Sequence, residues 1–580
     1  MGWKCGESCF PEGSARTKER EKEMSKTRRS WDFYVCCGLA LAAFVFILYR
    51  VFSVDFVGDE WGMWKDSIQP GLKALLSFQH KDTQSHFLQA LCAIPFLKYL
   101  PIDRVAAIRI PSLMMFLVYV WAGMRLARHF VSSWFRVLFF ASWIGPQIIL
   151  EYFGLSRGYA FLLAWSGVAL VGLFEAYNPK NTPAWRDRWT KISIFSGALA
   201  MLALLTFSYG YFMLTVLLLL RYYLEAKGTV RTRLGAVLRR GGFVIGMGVL
   251  LVIFFLPRFL VFRHLSGMSQ SGTRNYLSDT FASVIGCVTY VDFLRENTVF
   301  WLGLAVFIVC VVDLVAWLWK LRKEHPTLSE ALESPFTLTV VFFFGIALVV
   351  QGLFLAVGLR FPLRRAMLYL WPAIVLLTGF SWQEIRWGLV RWLNVLLLCV
   401  MLGFAACTYN TYKTYEYRQD AQNKEIAKVL YDLAHQERAE GRPLVVGMTD
   451  WMRYTIWYYY EYEYPDMAVH PQLKEHPVFR LHGDNVLFTY SLNYGYPWPF
   501  PPIWHHHPHT DYYLLDPNVP GNLPNERLMD LTPVRYFEKS DVTLYKAKTP
   551  TGRVGCDPKR CIICNALYQI AGEPVATTGE

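Results

Sequence analysis

The sequence predicts a mainly α-helical, polytopic membrane protein with about eleven transmembrane helices and a C-terminal α/β domain outside the cytoplasm. Of its 580 residues 54% are hydrophobic, and the mean hydropathy is +0.24. Apolar runs of spanning length recur between residues 33 and 408, and basic residues gather in alternate loops. A soluble chain of this length would ordinarily form several less apolar domains.

The apolar runs define the predicted spans, since crossing a bilayer takes roughly 20 apolar residues. Segment 86–100 is shorter and contains Gln89 and Lys98, so we predict a helix at the membrane surface there and not a span. The predicted spans are 33–52, 110–127, 134–150, 157–177, 191–207, 209–224, 242–258, 298–319, 336–357, 365–381 and 389–408.

The net charge of +13 is interpreted as a topology signal and not as nucleic-acid binding, because Lys and Arg concentrate in cytoplasmic loops. A basic N-terminus, residues 1–32, is placed inside. The other basic clusters then share that side, at 125–136, 180–191, 227–240, 320–323 and 386–391. Residues 33–408 form the transmembrane domain, with a large first outer loop at 53–109, and residues 409–580 lie outside the cytoplasm.

The C-terminal segment has a length that suits one soluble domain. Helical periodicity over 419–440 is followed by strand-like runs, which predicts a small α/β domain. The strand-like runs are 443–447, 485–490, 511–515 and 541–546. Farther along, His505 to His507 are interpreted as an irregular loop, and Cys556, Cys561 and Cys564 as a disulfide with one odd thiol.

Two adjacent carboxylates, Asp59 and Glu60, follow the first span directly. Ionisable groups close to the bilayer are costly and are candidates for function. A carboxylate here could act as general base toward a hydroxyl group or help to hold a divalent cation. The alternative is a solvated loop acid that caps the next helix.

A second acidic position, Glu151, lies at the outer end of the third span and is followed by Arg157 and Tyr159. The charge-based topology places Glu151 on the same side as Asp59, so acids far apart in sequence could meet in one pocket. The alternative is a salt bridge between Glu151 and Arg157 at a loop.

Three arginines, Arg360, Arg364 and Arg365, lie in the last outer loop before the C-terminal segment. Their outer location is not explained by the positive-inside tendency. Guanidinium groups bind phosphate through paired hydrogen bonds, which points to a phosphodiester ligand. The alternative is snorkelling toward ordinary lipid phosphates.

The order of these motifs resembles the GT-C superfamily of integral-membrane glycosyltransferases, in particular the branch of protein O-mannosyltransferases and aminoarabinose transferases. The family's His-Pro-Pro-Leu is not intact here, because Phe87 and Leu88 follow His86. The matching pieces are Asp59-Glu60, Ser85-His86-Phe87-Leu88, Arg109-Ile110-Pro111-Ser112, Glu151-x5-Arg157-x-Tyr159 and the arginines at 360–365.

The resemblance implies an inverting transfer of a sugar from a polyprenyl-phosphate-linked donor to an acceptor on the extracytoplasmic side. Asp59 would be the base. Glu60 and Glu151 would position it or bind a cation, and a divalent metal would be held by Asp59 and Glu151. The donor phosphate would contact Arg157, Arg360, Arg364 or Arg365, with His86 and Tyr159 also in the site. The acceptor is left open between protein, lipid and glycan, and the membrane between a bacterial inner membrane with a periplasmic site and the endoplasmic reticulum.

Two other functions remain as alternatives. A transporter or flippase of lipid-linked glycans would carry ionisable residues along mid-membrane helices, whereas the predicted spans here are nearly free of them and the charges gather at the span ends. A polymerase or ligase of surface polysaccharide shares the layout of many spans but lacks an acidic pair directly after the first one.

Overall fold

The computed structural model describes residues 13–77, 86–262, 271–290, 296–415, 418–439, 444–448, 455–456, 458–459, 463, 480–482, 486–490, 512–515 and 531–547. The chain divides into two compact units. The first comprises Met1–Val51 and Gly71–Tyr409, and the second comprises Phe52–Pro70 and Asn410–Glu580.

The first unit is built of helices, together with one short antiparallel pair of strands, β1 (Ser271–Gly272) and β2 (Phe361–Pro362). The first helix, Gly13–Ser53, runs without a break from the basic N-terminal segment through the first predicted span. The other principal helices are Phe87–Tyr99, Arg104–Ala127, Ser133–Ile144, Gln147–Phe153, Gly158–Tyr177, Pro183–Ala203, Ser208–Glu225, Val230–Arg240, Gly242–Phe262, Ser283–Thr289, Glu296–Glu324, Pro335–Val357, Leu370–Glu384 and Gly388–Thr408.

Within the described residues, seven helices are long and apolar enough to cross a membrane, or nine if each of two bent helix pairs is one span. The prediction of a mainly helical integral membrane protein is therefore confirmed, whereas the count of about eleven is not. Two predicted spans account for the difference. Pro183–Ala203 begins with several charged residues, and Leu370–Glu384 has 15 residues, which at 1.5 Å per residue falls short of a core roughly 30 Å thick.

The doubtful segment 86–100 forms a helix of 13 residues, Phe87–Tyr99. It is also too short to cross a bilayer. One face of the helix is buried in the first unit, through Phe87, Gln89, Ala90 and Ala93. This geometry agrees with a helix that does not cross.

Ion pairs link the helix ends that the charge-based topology places in the cytoplasm. The helix ends that the same topology places outside the cytoplasm likewise contact one another. Arg50 pairs with Glu151, and Arg365 lies against the ring of Tyr159. The ends of the helices therefore sort into the two predicted groups, although which group faces the cytoplasm stays a prediction. The pairs at the predicted inner ends are Arg125 with Glu175, Arg136 with Asp32, Arg186 with Glu225, Arg221 with Asp187, Arg240 with Glu225 and Lys320 with Glu384.

The second unit contains a short helix, Gly58–Met63, a longer one, Asn423–Ala439, and a sheet of six strands. The strands are β3 (Leu444–Met448), β4 (Arg480–His482), β5 (Val486–Tyr490), β6 (Tyr512–Leu515), β7 (Leu531–Phe537) and β8 (Val542–Ala547), in the order β4-β5-β3-β6-β8-β7. Strand β3 runs parallel to β5 and β6, and the outer pairings are antiparallel.

Four of these strands lie at the predicted runs, and β4 and β7 were missed. Strand β4 has only three residues. Strand β7 contains Pro533, next to a register shift. Proline cannot donate to a ladder and is confined to edge strands or bulges, which is the place of β7 in this sheet. The domain boundary at 409 and its location outside the cytoplasm stay predictions.

Candidate active site

The ring of Tyr159 is the centre of a buried cluster in the first unit. The guanidinium carbons of Arg157 and Arg365 each lie 5.8 Å from its centroid. The rings of His86 and Tyr152 lie 5.4 Å and 4.4 Å from it. Arg157 is 3% exposed and Arg365 2%. The structure thus brings together four of the residues singled out from the sequence: His86, Arg157, Tyr159 and Arg365.

The turn between two helices places Arg157 in this cluster. The helix Gln147–Phe153 ends at Gly154, and Arg157, with extended backbone, directly precedes the helix Gly158–Tyr177. Tyr159 therefore lies in the first turn of that helix. Glu151 and Tyr152 lie in the last turn of the preceding helix, so one chain reversal supplies Glu151, Tyr152, Arg157 and Tyr159.

A buried polar network fixes Ser156, the residue before Arg157. Its hydroxyl donates to the carbonyl oxygen of Ile108 over 2.9 Å and accepts from Nε2 of Gln89 at 3.0 Å. Gln89 in turn accepts from the hydroxyl of Ser112. Because buried polar groups that are fully satisfied rigidify their surroundings, this network fixes the backbone that carries Arg157.

Gly158 allows His86 to approach. A β carbon at this position would lie 2.4 Å from the carbonyl oxygen of Ala203 and 2.5 Å from Nδ1 of His86, closer than any side chain tolerates. His86 Nδ1 itself lies 3.4 Å from the same carbonyl oxygen. His86 therefore packs in the cluster even though the residues after it depart from the family motif.

Glu151 is buried, with 2% of its surface exposed. Its Oε2 lies 3.6 Å from Nη2 of Arg50 and accepts a hydrogen bond of 2.7 Å from the hydroxyl of Tyr290. The ion pair and the hydrogen bond together hold this buried carboxylate in one orientation. A salt bridge involving Glu151 does exist, and Arg50 is a partner that the sequence analysis did not single out.

The three late arginines have different environments. Arg365 is buried, whereas Arg360 and Arg364 are exposed. Arg364 has a positive φ of 50°, and its N–H donates to the hydroxyl of Ser283 at 2.7 Å. The hydroxyl of Thr206 donates to the carbonyl oxygen of Ala366. The short 3-10 helix Arg364–Met367 is thus held on both sides, with Arg365 directed to Tyr159.

Asp59 and Glu60 lie in the second unit, in the first turn of the helix Gly58–Met63. Glu60 is fully buried, and its Oε2 accepts from the N–H of Val57 at 3.3 Å, so it caps its own helix. This matches the capping alternative for Glu60, though as a buried residue and not a solvated one. Asp59 is 6% exposed. Because Glu151 and the arginines belong to the first unit, the convergence of Asp59 with them stays a prediction.

The predicted divalent metal also stays a prediction. Among the residues that the structure describes, no group of three or more His, Cys, Asp or Glu side chains is placed to hold a metal ion. The two metal ligands suggested from the sequence belong to different units, Asp59 to the second and Glu151 to the first.

Sequence reasoning missed Arg50 and Tyr290, the partners of Glu151, and Asp420, the partner of Gly58 beside the acidic pair. Arg50 could have been identified from the sequence, because a basic residue at the outer end of the first span opposes the positive-inside tendency. No sequence pattern pointed to Tyr290, since it lies in a long loop without a motif. Asp420 carboxylate oxygen Oδ2 accepts the N–H of Gly58 at 2.8 Å, a contact across a sequence separation that no local pattern indicates.

Parts of the C-terminal segment fall outside the described residues, including the histidines 505–507 and the cysteines at 556, 561 and 564. In the aromatic run 457–464, Tyr458 and Tyr459 are described and buried. The Tyr458 ring lies 4.3 Å from that of Phe56 and 6.0 Å from that of Trp64. These two tyrosines therefore pack within the second unit.

No protein-family model matches the sequence, and no curated protein matches it either. Among solved structures, ArnT from Cupriavidus metallidurans bound to undecaprenyl phosphate is similar with 11% identity and a TM-score of 0.35, over 88% of this chain and 98% of that chain. The apo oligosaccharyltransferase of Archaeoglobus fulgidus is similar with 11% identity and a TM-score of 0.39, over 75% of this chain and 64% of that chain. With both TM-scores below 0.5, neither likeness bears on the donor, the acceptor or the catalytic residues of this chain.

Proposed function

We propose that this integral membrane protein is an inverting glycosyltransferase that moves a sugar from a polyprenyl-phosphate-linked donor to an acceptor on the extracytoplasmic side. The observation that carries the proposal is the cluster around Tyr159. Two buried guanidinium groups, from Arg157 and Arg365, flank one aromatic ring, and the buried carboxylate of Glu151 lies in the same chain reversal.

The two arginines suit a phosphate. Guanidinium groups stay charged at any physiological pH and bind phosphate oxygens in pairs. Contact with the Tyr159 ring adds a cation–π interaction that orients both groups. A donor phosphate bound here would gain most when negative charge develops on it as the sugar leaves.

The three carboxylates of the site would have different roles. Glu151, paired with Arg50 and bonded by Tyr290, is oriented to accept hydrogen bonds from sugar hydroxyl groups or to hold a metal ion. Glu60 already caps its helix. Asp59 is therefore our choice for the general base that takes the proton of the acceptor hydroxyl.

The proposed reaction forms one bond and breaks one. The acceptor oxygen attacks the anomeric carbon from the face opposite the phosphate and loses its proton to Asp59. The bond from the anomeric carbon to the phosphate oxygen breaks, and its electron pair leaves with polyprenyl phosphate. The configuration at the anomeric carbon inverts. The acceptor stays open between protein, lipid and glycan, and the membrane is a bacterial inner membrane or the endoplasmic reticulum.

The test uses the full-length protein in nanodiscs with a panel of polyprenyl-phosphate sugars and membrane extract as the acceptor source. We expect release of polyprenyl phosphate with at least one donor, and its loss in Glu151→Gln. Release without any dependence on Glu151, or wild-type protein that neither binds nor cleaves any donor of the panel, would overturn the proposal.

A further inference from the structure

Hydrogen bonds from the C-terminal segment hold the stretch of chain that leads into the acidic pair. They involve Ser53, the last residue of the first helix, and at least three of the five residues between it and Asp59. The bonds run from Ser53 Oγ to the carbonyl oxygen of Thr411, from Lys424 N–H to Asp55 Oδ2, from Phe56 N–H to the hydroxyl of Tyr459, and from Gly58 N–H to Asp420 Oδ2, at 3.2, 3.0, 2.9 and 2.8 Å.

Asp420 makes the contact nearest to the acids. Gly58 is the first residue of the helix Gly58–Met63, and its N–H is one of the four that an α-helix leaves without an internal partner. Asp420 satisfies that donor from far along the chain. Its other oxygen, Oδ1, accepts from Nδ2 of Asn423 at 2.9 Å, and the same Nδ2 donates to the hydroxyl of Thr455 at 2.6 Å.

The position of this carboxyl group is costly. Asp420 is fully buried, and burial raises its pKa to about 7, helped by Asp59 and Asp55 and opposed by the hydrogen bonds from Asn423 and Gly58. A buried acid kept beside two further acids destabilises the fold when it is charged. The same carboxyl group accepts the N–H of Gly58 and so fixes the backbone that leads directly into Asp59.

We propose that Asp420 is a positioning residue for the transfer reaction, holding the turn of Asp59 and Glu60 in its active geometry by accepting the N–H of Gly58. The proposal rests on the proposed function, since Asp59 is the base there. Residues of the C-terminal segment thereby act on chemistry carried by the first outer loop.

Two substitutions at this position separate the acceptor from the charge. Asp420→Ala removes the acceptor. Asp420→Asn keeps an oxygen for Gly58 and places an amide nitrogen opposite Asn423. The Oδ1 atom of Asn423 has no hydrogen-bond partner among the described residues, so its amide can turn and offer that oxygen. The asparagine variant should therefore keep the turn in place.

The kinetic experiment measures transfer by the full-length protein, with Asp432→Ala as the matched control. Asp432 is an exposed carboxylate on the helix Asn423–Ala439. We expect kcat to fall about 10- to 100-fold in Asp420→Ala, because small displacements of a catalytic group have effects of that size. The KM for the donor should stay within about twofold. Asp420→Asn and Asp432→Ala should retain kcat.

Hydrogen exchange gives a second readout that needs no activity. Amides of the peptide covering residues 52–63 should exchange faster in Asp420→Ala than in the wild type or in Asp420→Asn. If the wild type transfers no sugar, the proposed function fails while the exchange result still tests the contact. Unchanged exchange and kcat in Asp420→Ala, or an equal loss of kcat in Asp420→Asn, would refute the positioning role.

Discussion

The hydroxyl group of Tyr290 donates to Oε2 of Glu151 over 2.7 Å, and this bond joins a loop without any sequence motif to a buried acid of the candidate site. Tyr290 adopts φ 55°, in the left-handed region. For a residue with a β carbon this conformation costs roughly 1–2 kcal/mol. Strain of this kind persists where the surrounding structure fixes the residue, and it is concentrated at functional sites.

Removing that hydroxyl should impair transfer without unfolding the protein. Hydrogen bonds to charged groups contribute about 1.5–3 kcal/mol, so we expect Tyr290→Phe to lower kcat/KM about 10- to 100-fold in the transfer assay. The matched control is Tyr276→Phe, because the buried hydroxyl of Tyr276 has no hydrogen-bond partner among the described residues. Equal activities of the two variants would show that Tyr290 does not orient Glu151 for the reaction.

The three late arginines should differ in their contribution to donor binding. Arg365 is buried beside Tyr159, whereas Arg360 is exposed. We expect Arg365→Ala to weaken binding of polyprenyl phosphate in nanodiscs about 10- to 100-fold, the size of a lost charge-assisted contact. Arg360→Ala should change the Kd less than about threefold, as exposed ion pairs contribute little. A larger effect at Arg360 would locate the phosphate elsewhere.

These arginines also show how far sequence reasoning reaches. The charge pattern identified Arg360, Arg364 and Arg365 as one group, because all three oppose the positive-inside tendency. It could not tell which one is buried, since that depends on how the Arg364–Met367 turn is anchored to Ser283 and Thr206. Such contacts between distant segments leave no local pattern in the sequence.

Local sequence patterns predicted the strands more accurately than these long-range contacts, because local composition determines where a strand forms. Strands β3, β5, β6 and β8 lie at their predicted runs because apolar and β-branched residues are concentrated there. The predicted spans at 191–207 and 365–381 did not satisfy the length and composition of a crossing helix, because charged residues begin the first and the second is short. The sequence analysis favours Asp59 over Glu60 as the base, and the bond from the N–H of Val57 gives Glu60 a capping role.

Asp59 and Glu60 should therefore respond differently to loss of charge. Asp59→Asn should reduce transfer at least 100-fold, within the range that general-base catalysis provides, with unchanged expression and Tm. Glu60→Gln can still accept from the N–H of Val57, so it should retain most activity. Glu60→Ala removes the cap and should lower stability by about 1 kcal/mol, measured as a shift in Tm. Full activity in Asp59→Asn would remove Asp59 from the mechanism.

The buried Asp420 should make stability depend on pH. Its pKa is raised from the ordinary 3.8 to about 7 in the folded protein, so the folded state binds the proton more tightly than the unfolded state. The stabilisation from that proton is present below about pH 4, is lost as the pH rises toward 7, and changes no further above it. In Asp420→Asn this contribution disappears. The difference in Tm between wild type and Asp420→Asn should fall across pH 4 to 7, and a constant difference would contradict the raised pKa.

A substitution of Asp313 can distinguish the proposed enzyme from the transporter alternative. It is fully buried in the candidate span Asn297–Glu324, which is an ionisable group where such a transporter would carry one. Its Oδ1 accepts from the hydroxyl of Ser381 at 2.5 Å and from Nδ2 of Asn394 at 2.9 Å.

We expect Asp313→Asn to leave transfer unchanged and to keep or raise Tm. The new amide keeps an oxygen for Ser381 and Asn394, and its nitrogen replaces Oδ2 of Asp313, a buried oxygen without a hydrogen-bond partner among the described residues. Parallel assays of sugar transfer and of lipid-linked glycan movement in proteoliposomes, with Asp59→Asn as the reference variant, decide between the two functions. Glycan movement that is abolished by Asp313→Asn but survives Asp59→Asn would favour transport, because the essential charge would then lie within the bilayer and not beside the predicted donor site.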